Sequence, residues 1–175
     1  MTLRMFLKYQ LILVLSTLFL NGPALAEDYD GLELVQAAGR AKLEKDTRID
    51  FAILKNSTGE TRIAAFFSLS EGQARLYLDL ASWRSWQEMV ARAATTEPPE
   101  RERVPLGTID GLRVGPSDTN LRLEVLGETR LGNRQLLMMV LCKGPKQFRH
   151  PISLDDAQQT ELLERMHTVD TFMAP

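Results

Sequence analysis

Two histidines, His150 and His167, and a single cysteine, Cys142, are the side chains of this 175-residue chain best suited to nucleophilic or metal chemistry. A thiol becomes a nucleophile when a neighbouring base or cation lowers its pKa, and the pairing these residues offer is Cys142 with His150 across adjacent strands. Cys142 closes the apolar run 136–142 (LLMMVLC), where a cysteine behaves as a small hydrophobe. His150 falls in line with Phe148 and Ile152, where an imidazole is partly buried and hydrogen-bonded. The expectation is a structural thiol, with His150 kept as a candidate ligand contact. No metal is expected from so few histidine and cysteine ligands and no H-E-x-x-H. The chain also lacks a G-x-S-x-G elbow, a Walker loop and a G-x-G-x-x-G turn, so no cofactor is implied.

Paired carboxylates are the other route to acid–base chemistry. Asp155 and Asp156 follow Ser153 in an S-x-x-D pattern that opens a helix, and Glu100 and Glu102 lie in a proline-rich connection, so each pair has a structural reading. Trp83 and Trp86 could form an aromatic binding platform, although their three-residue spacing beside Met89 and Val90 is that of a helix stripe packed on a core. Arg75, Tyr77 and Asp79 alternate with Leu76, Leu78 and Leu80 and make a polar strand face able to receive a partner. The candidate binding residues are therefore Arg75, Tyr77, Asp79, Trp83, Trp86 and His150, and no residue is assigned a catalytic role.

The elements that must position these residues are most legible in residues 61–93. Ile63, Ala65, Phe67 and Leu69 share one face of a period-two strand, a turn containing Gly72 follows, and the three leucines set the register of a second strand. Ser82 reads as the N-cap of a helix that carries Trp83, Trp86, Met89, Val90 and Ala93 on one stripe. Upstream, Ile49, Phe51 and Ile53 mark a strand over 48–55, and Asn56-Ser57-Thr58-Gly59-Glu60 supplies a turn that also contains a glycosylation sequon. Residues 27–47 read as a helix striped by Leu32, Val35 and Leu43, although Gly31 and Gly39 weaken it.

Residues 96–105 (TEPPERERVP) read as an exposed linker. Beyond it come a short strand or hairpin over 106–114, a turn at 115–118, a strand over 121–125, the apolar run as a central strand, a strand at 148–152 with Pro151 at an edge, and a helix from Ser153. The fold class is α+β: an antiparallel sheet of six or so strands in two meanders, each followed by a covering helix. A shift of 72 residues lays one meander over the other, with halves at 27–95 and 106–175, and suggests a pseudo-repeat. Some single-stranded nucleic-acid-binding folds are duplicated in this way, but they need a basic groove with stacking aromatics.

The N-terminus assigns a destination. Arg4 and Lys8 precede the apolar stretch 11–20, and Ala24-Leu25-Ala26 is a small-x-small cleavage site, so residues 1–26 read as a secretory signal cut before Glu27. No transmembrane segment is expected after cleavage, and residues 27–175 form one domain in the periplasm or outside the cell. The whole chain has 21 basic and 23 acidic residues; losing Arg4 and Lys8 leaves 19 and 23, formally −4, which argues against nucleic acid. One cysteine allows no intrachain disulfide, so the core alone must stabilise the fold. The functional expectation is an exported, non-enzymatic accessory or binding protein acting on an envelope protein. The alternatives are a carrier of a small apolar ligand or lipid, held beside Trp83, Phe66 and Met138, and a hydrolase built on scattered carboxylates.

Overall fold

The computed structural model of the chain describes residues 31–43, 47–70, 72–114, 120–143 and 147–173. The signal segment 1–26 and the turn at 115–118 lie outside them. Two four-stranded antiparallel sheets form, each a simple meander. The first contains β1 (Glu33–Lys42), β2 (Arg48–Lys55), β3 (Thr61–Leu69) and β4 (Gly72–Leu78), and helix α1 (Leu80–Ala93) follows it. The second contains β5 (Arg103–Asp110), β6 (Asn120–Arg130), β7 (Asn133–Lys143) and β8 (Phe148–Leu154), and helix α2 (Asp156–Met173) follows that. The fold is α+β, with eight strands in two sheets among the described residues, where the hydrophobic pattern alone suggested six or so in one.

Strand β1 replaces the helix expected over 27–47. It pairs along β2 with register shifts at Leu34/Gln36 and Ala37/Gly39, and Gly39 has φ +125°. A bulge inserts one residue into a period-two pattern, so the buried positions Ala38, Ala41 and Leu43 are spaced by three and then two. That break in alternation conceals the strand. Its small side chains let α2 lie close against β1.

One hydrophobic core draws on both sheets and both helices. Phe51 and Phe67 from the first sheet, Leu123, Met138 and Val140 from the second, Trp83 and Trp86 from α1, and Leu162 and Met166 from α2 all belong to it. Burial of each such side chain contributes roughly 1.5–3 kcal/mol. Each helix packs on the first strand of the other half, α1 on β5 and α2 on β1, which interlocks the two halves. No helix among the described residues is long and apolar enough to cross a membrane.

Register makes the repetition specific. Gly39 is opposite Phe51 at a bulge in β1, and Gly107 is opposite Val125 at a bulge in β5. The bond from Leu43 N–H to Thr47 O (3.0 Å) has its counterpart from Gly111 N–H to Leu121 O (2.8 Å). Asp79 and Asp155 accept from the backbone N–H three residues on, at the start of α1 and α2. The buried stripes Trp83, Trp86, Val90, Ala93 and Gln159, Leu162, Met166, Val169 then coincide position by position. The equivalences do not follow a uniform shift of 72, because the connections between strands differ in length.

Three details depart from the sequence-based reading. Asp79, not Ser82, caps α1, and Leu80 begins that helix 45% exposed instead of completing a strand of buried leucines. Asp155 and Gln158 form the reciprocal capping box of α2, with Gln158 N–H donating to Asp155 Oδ1 and Asp155 N–H to Gln158 Oε1. The linker is packed as well as exposed: Pro98 is buried and would lie 3.2 Å from a Cβ on Gly127. Glu100 also accepts from Leu131 N–H (2.8 Å) and Gly132 N–H (3.2 Å) at the two-residue β6–β7 turn, where both residues have positive φ.

Candidate functional site

The site follows from the place where the two halves differ. The β1–β2 connection is short, but the β5–β6 connection leaves the second sheet at Gly111 and crosses to the first, where Leu112 N–H donates to Tyr77 O (2.8 Å). Leu112 and Val114 then pack with Phe66, Tyr77, Ala52, Ala64 and Leu54 on the face of the first sheet turned away from the main core. The polar face anticipated around Tyr77 is in part a second, smaller apolar cluster: Tyr77 is buried, and its ring meets Phe66 edge-on at 6.5 Å.

Beside this crossing lies a cleft of about 230 Å³. Its walls are Gln73, Ala74, Arg75 and Tyr77 of β4, Gly111, Leu112 and Val114 of the crossing segment, and Leu121, Cys142 and Phe148 from the ends of β6, β7 and β8. Ala74 belongs to the core face of β4, whereas Arg75 and Tyr77 belong to the opposite face, so the cleft runs along the edge of β4 and not over either face. Depth follows the strand: Gln73 is exposed, Arg75 half-buried and Tyr77 buried. Arg75 is the formally charged side chain among the described lining residues, and the remaining walls are largely apolar.

The structure brings together two of the sequence-nominated residues, Arg75 and Tyr77, and adds Cys142 to the same cleft. The others lie elsewhere. Asp79 caps α1, and the Ser82 N–H bond (2.7 Å) holds its carboxyl below the usual carboxylate range. Trp83 and Trp86 are fully buried in a cluster with Phe51 and Phe67. Trp83 Nε1–H donates to Asp170 Oδ1 (2.8 Å), whereas Trp86 Nε1 finds no hydrogen-bond partner among the described residues. His150 pairs with Val140 and is half-buried on β8. The space imagined beside Trp83, Phe66 and Met138 does not form, because Trp83 and Met138 are packed in the main core and Phe66 is on the other face of its sheet.

Cys142 sits directly opposite Phe148, two positions from the Val140–His150 pair, so thiol and imidazole share a face as diagonal neighbours. Burial pushes the thiol pKa up, opposite to the shift an activated nucleophile requires. Among the described residues no group of three or more His, Cys, Asp or Glu side chains is placed to hold a metal. Several carboxylates have structural duties. Asp50 pairs with Arg40 and Arg48, Asp110 with Arg122 (2.7 Å), Glu128 with Arg103 (3.6 Å), and Asp170 accepts from Trp83 and Gln87.

Sequence reasoning missed Gln73, Leu112, Val114, Leu121 and Phe148 as cleft residues. The available signal was the asymmetry between the halves: a pseudo-repeat with one longer connection points to that connection. No protein-family model matches the chain, and no curated protein matches it either.

Proposed function

We propose that this chain is an exported, non-enzymatic binding protein that acts on an envelope partner and engages it through the cleft along β4. The observation that carries the reading is the cleft itself, an amphipathic recess formed where one connection departs from an otherwise repeated scaffold. Binding residues gather on such connections, held in place by the rigid elements they join. Its size favours an anchor group over an enclosed ligand: about 230 Å³ is below the roughly 300–1,000 Å³ that drug-sized molecules occupy. A lipid would need more room still. The hydrolase reading draws less support, since several carboxylates, Asp50, Asp79, Asp110, Asp155 and Asp170, cap helices, pair with arginines or bind an indole.

Photo-crosslinking tests the reading. A benzophenone amino acid placed at Gln73, at the mouth of the cleft, is expected to give one discrete adduct in the envelope of the native host, whereas the same probe at exposed Thr171 gives none. Equal labelling from both positions, or none from Gln73, would count against a partner at this cleft. Saturable turnover of a small substrate would replace the reading with an enzymatic one.

A further inference from the structure

We propose that Leu131, at the tip of the β6–β7 hairpin, anchors a second contact surface by seating its side chain in an apolar socket of a partner protein. The residue type is what needs explaining. Leu131 is 79% exposed, the most open large hydrophobic side chain among the described residues, and it belongs to neither hydrophobic cluster. The turn does not call for it either. Two central residues at positive φ favour Asn and Gly, whereas Leu131 has φ +53°, a region costly to a residue with a large side chain. Neither packing nor turn chemistry accounts for a leucine here, and strain opposes it, so recognition by another molecule supplies the reason.

The strained turn is held from outside its own hairpin. The Glu100 carboxylate accepts from Leu131 N–H (2.8 Å) and Gly132 N–H (3.2 Å), one oxygen to each. Arg101 N–H donates to Thr129 O (2.8 Å), and Arg101 and Leu131 are the two non-glycine residues with positive φ among the described residues. At the base of the hairpin, Arg134 Nη1 donates to Ala94 O at the end of α1, and its guanidinium pairs with Asp156 at the start of α2 (3.5 Å). Leu131 is therefore presented in one fixed backbone conformation, which lowers the ordering cost when a shaped site receives it. Exposed Glu100, Arg101, Arg130 and Asn133 flank this apolar centre with polar groups of both signs, the arrangement of an interface core and rim. A bilayer fits less well: a myristoyl chain, far larger than one leucine, holds a protein on lipid only marginally, and a fluid surface gains nothing from a fixed turn. The surface is also separate from the cleft. Leu121 and Cys142 pair at the cleft end of β6 and β7, and Arg130 and Asn133 pair at the other end, about 30 Å away at roughly 3.4 Å per residue.

Leu131→Asn separates the leucine from the turn, since Asn tolerates positive φ and leaves the backbone donors to Glu100 in place. Relief of strain predicts a melting temperature higher by about 2–4 °C. The interaction probe is a benzophenone amino acid at Arg130, irradiated in cells of the native host. In otherwise wild-type protein it is expected to give one discrete adduct with another protein; Leu131→Asn should cut the yield at least tenfold, and Leu131→Met should keep it. A melting temperature that stays level or falls with Leu131→Asn would mean that the leucine is not strained there, and would overturn the proposal. An absent adduct, or one that Leu131→Asn leaves intact, would do the same. An adduct of twice the chain mass would replace the partner with a second copy. Co-flotation with phosphatidylethanolamine–phosphatidylglycerol vesicles that Leu131→Asn abolishes would replace it with lipid. The cleft is judged separately, by the Gln73 crosslink.

Discussion

Trp83 on α1 donates its indole N–H to Asp170 Oδ1 on α2 at 2.8 Å, and Gln87 Nε2 donates to the other oxygen at 2.7 Å. Asp170 lies in the last turn of α2, where the helix dipole disfavours a carboxylate, so its placement is explained by what it holds on α1. Removing the carboxylate leaves a buried donor without a partner. Asp170→Ala is expected to destabilise the fold by about 1–3 kcal/mol in urea unfolding. The cost should shrink in a Trp83→Phe background, which has no indole N–H to strand. Additive losses would show that the two residues act independently.

Trp86 gives the contrasting case, since its indole N–H is buried without a partner among the described residues. Trp86→Phe removes an unsatisfied donor along with some packing, whereas Trp83→Phe removes a satisfied one and leaves Asp170 short of a donor. Trp86→Phe should therefore be the milder substitution in the same unfolding measurement. The reverse order would mean that packing, and not hydrogen bonding, sets the balance in this cluster.

How much of this was legible in advance depended on whether the physics was local. Ile63, Ala65, Phe67 and Leu69 declare their strand because alternation survives in the sequence, and all four are buried as expected. The apolar run 136–142 likewise becomes an inner strand between β6 and β8. Strand β1 was hidden because the bulge at Gly39 breaks its alternation, while Leu32, Val35 and Leu43 suggested a helical stripe although Val35 is exposed, and only pairing with β2 reveals the extra residue. The cleft was hidden for a different reason. Tyr77 and Leu112 are far apart in sequence, and nothing in either stretch announces that the β5–β6 connection crosses between sheets.

That crossing depends on Gly111. A Cβ there would lie 2.8 Å from Leu76 Cδ1 and 3.0 Å from the Leu121 carbonyl oxygen. Leu76 is fully buried in the core, and Leu121 O accepts from Gly111 N–H itself, so neither can retreat cheaply. Gly111→Ala is expected to cost about 1–3 kcal/mol, the usual scale of overpacking. A domain of this size would then melt about 2–12 °C lower, at roughly 2–4 °C per kcal/mol. An unchanged melting temperature would mean that the junction between the sheets is looser than these distances imply.

Cys142 lines the cleft while remaining buried, and burial raises its pKa. The thiolate fraction at neutral pH is accordingly smaller than that of a free cysteine, and access is restricted. Modification by a disulfide reagent at neutral pH should be slow in the native protein and should reach the rate of a model thiol once urea unfolds it. Fast native labelling would reverse this picture and revive the Cys142–His150 pair as a reactive unit.

Acid stability isolates the cap of α1. The Asp79 carboxyl is held below its ordinary value of 3.8, mainly because its charged form accepts the Ser82 N–H. A group with a lowered folded pKa contributes stability above its unfolded pKa and loses it as pH falls through the folded one, so the wild-type cap should weaken below about pH 3.8. Asp79→Asn keeps an acceptor for Ser82 N–H without a titrating charge, and Asn caps about as well as Asp. It should match wild type closely at neutral pH yet lose less stability on acidification. Asp79→Ala should cost about 0.5–2 kcal/mol at neutral pH, with the gap to wild type narrowing in acid as the wild-type carboxylate is protonated. Urea unfolding of the three proteins at neutral pH and below pH 3.8 checks both statements, and parallel acid losses in wild type and Asp79→Asn would remove the charge of Asp79 from the account of the cap.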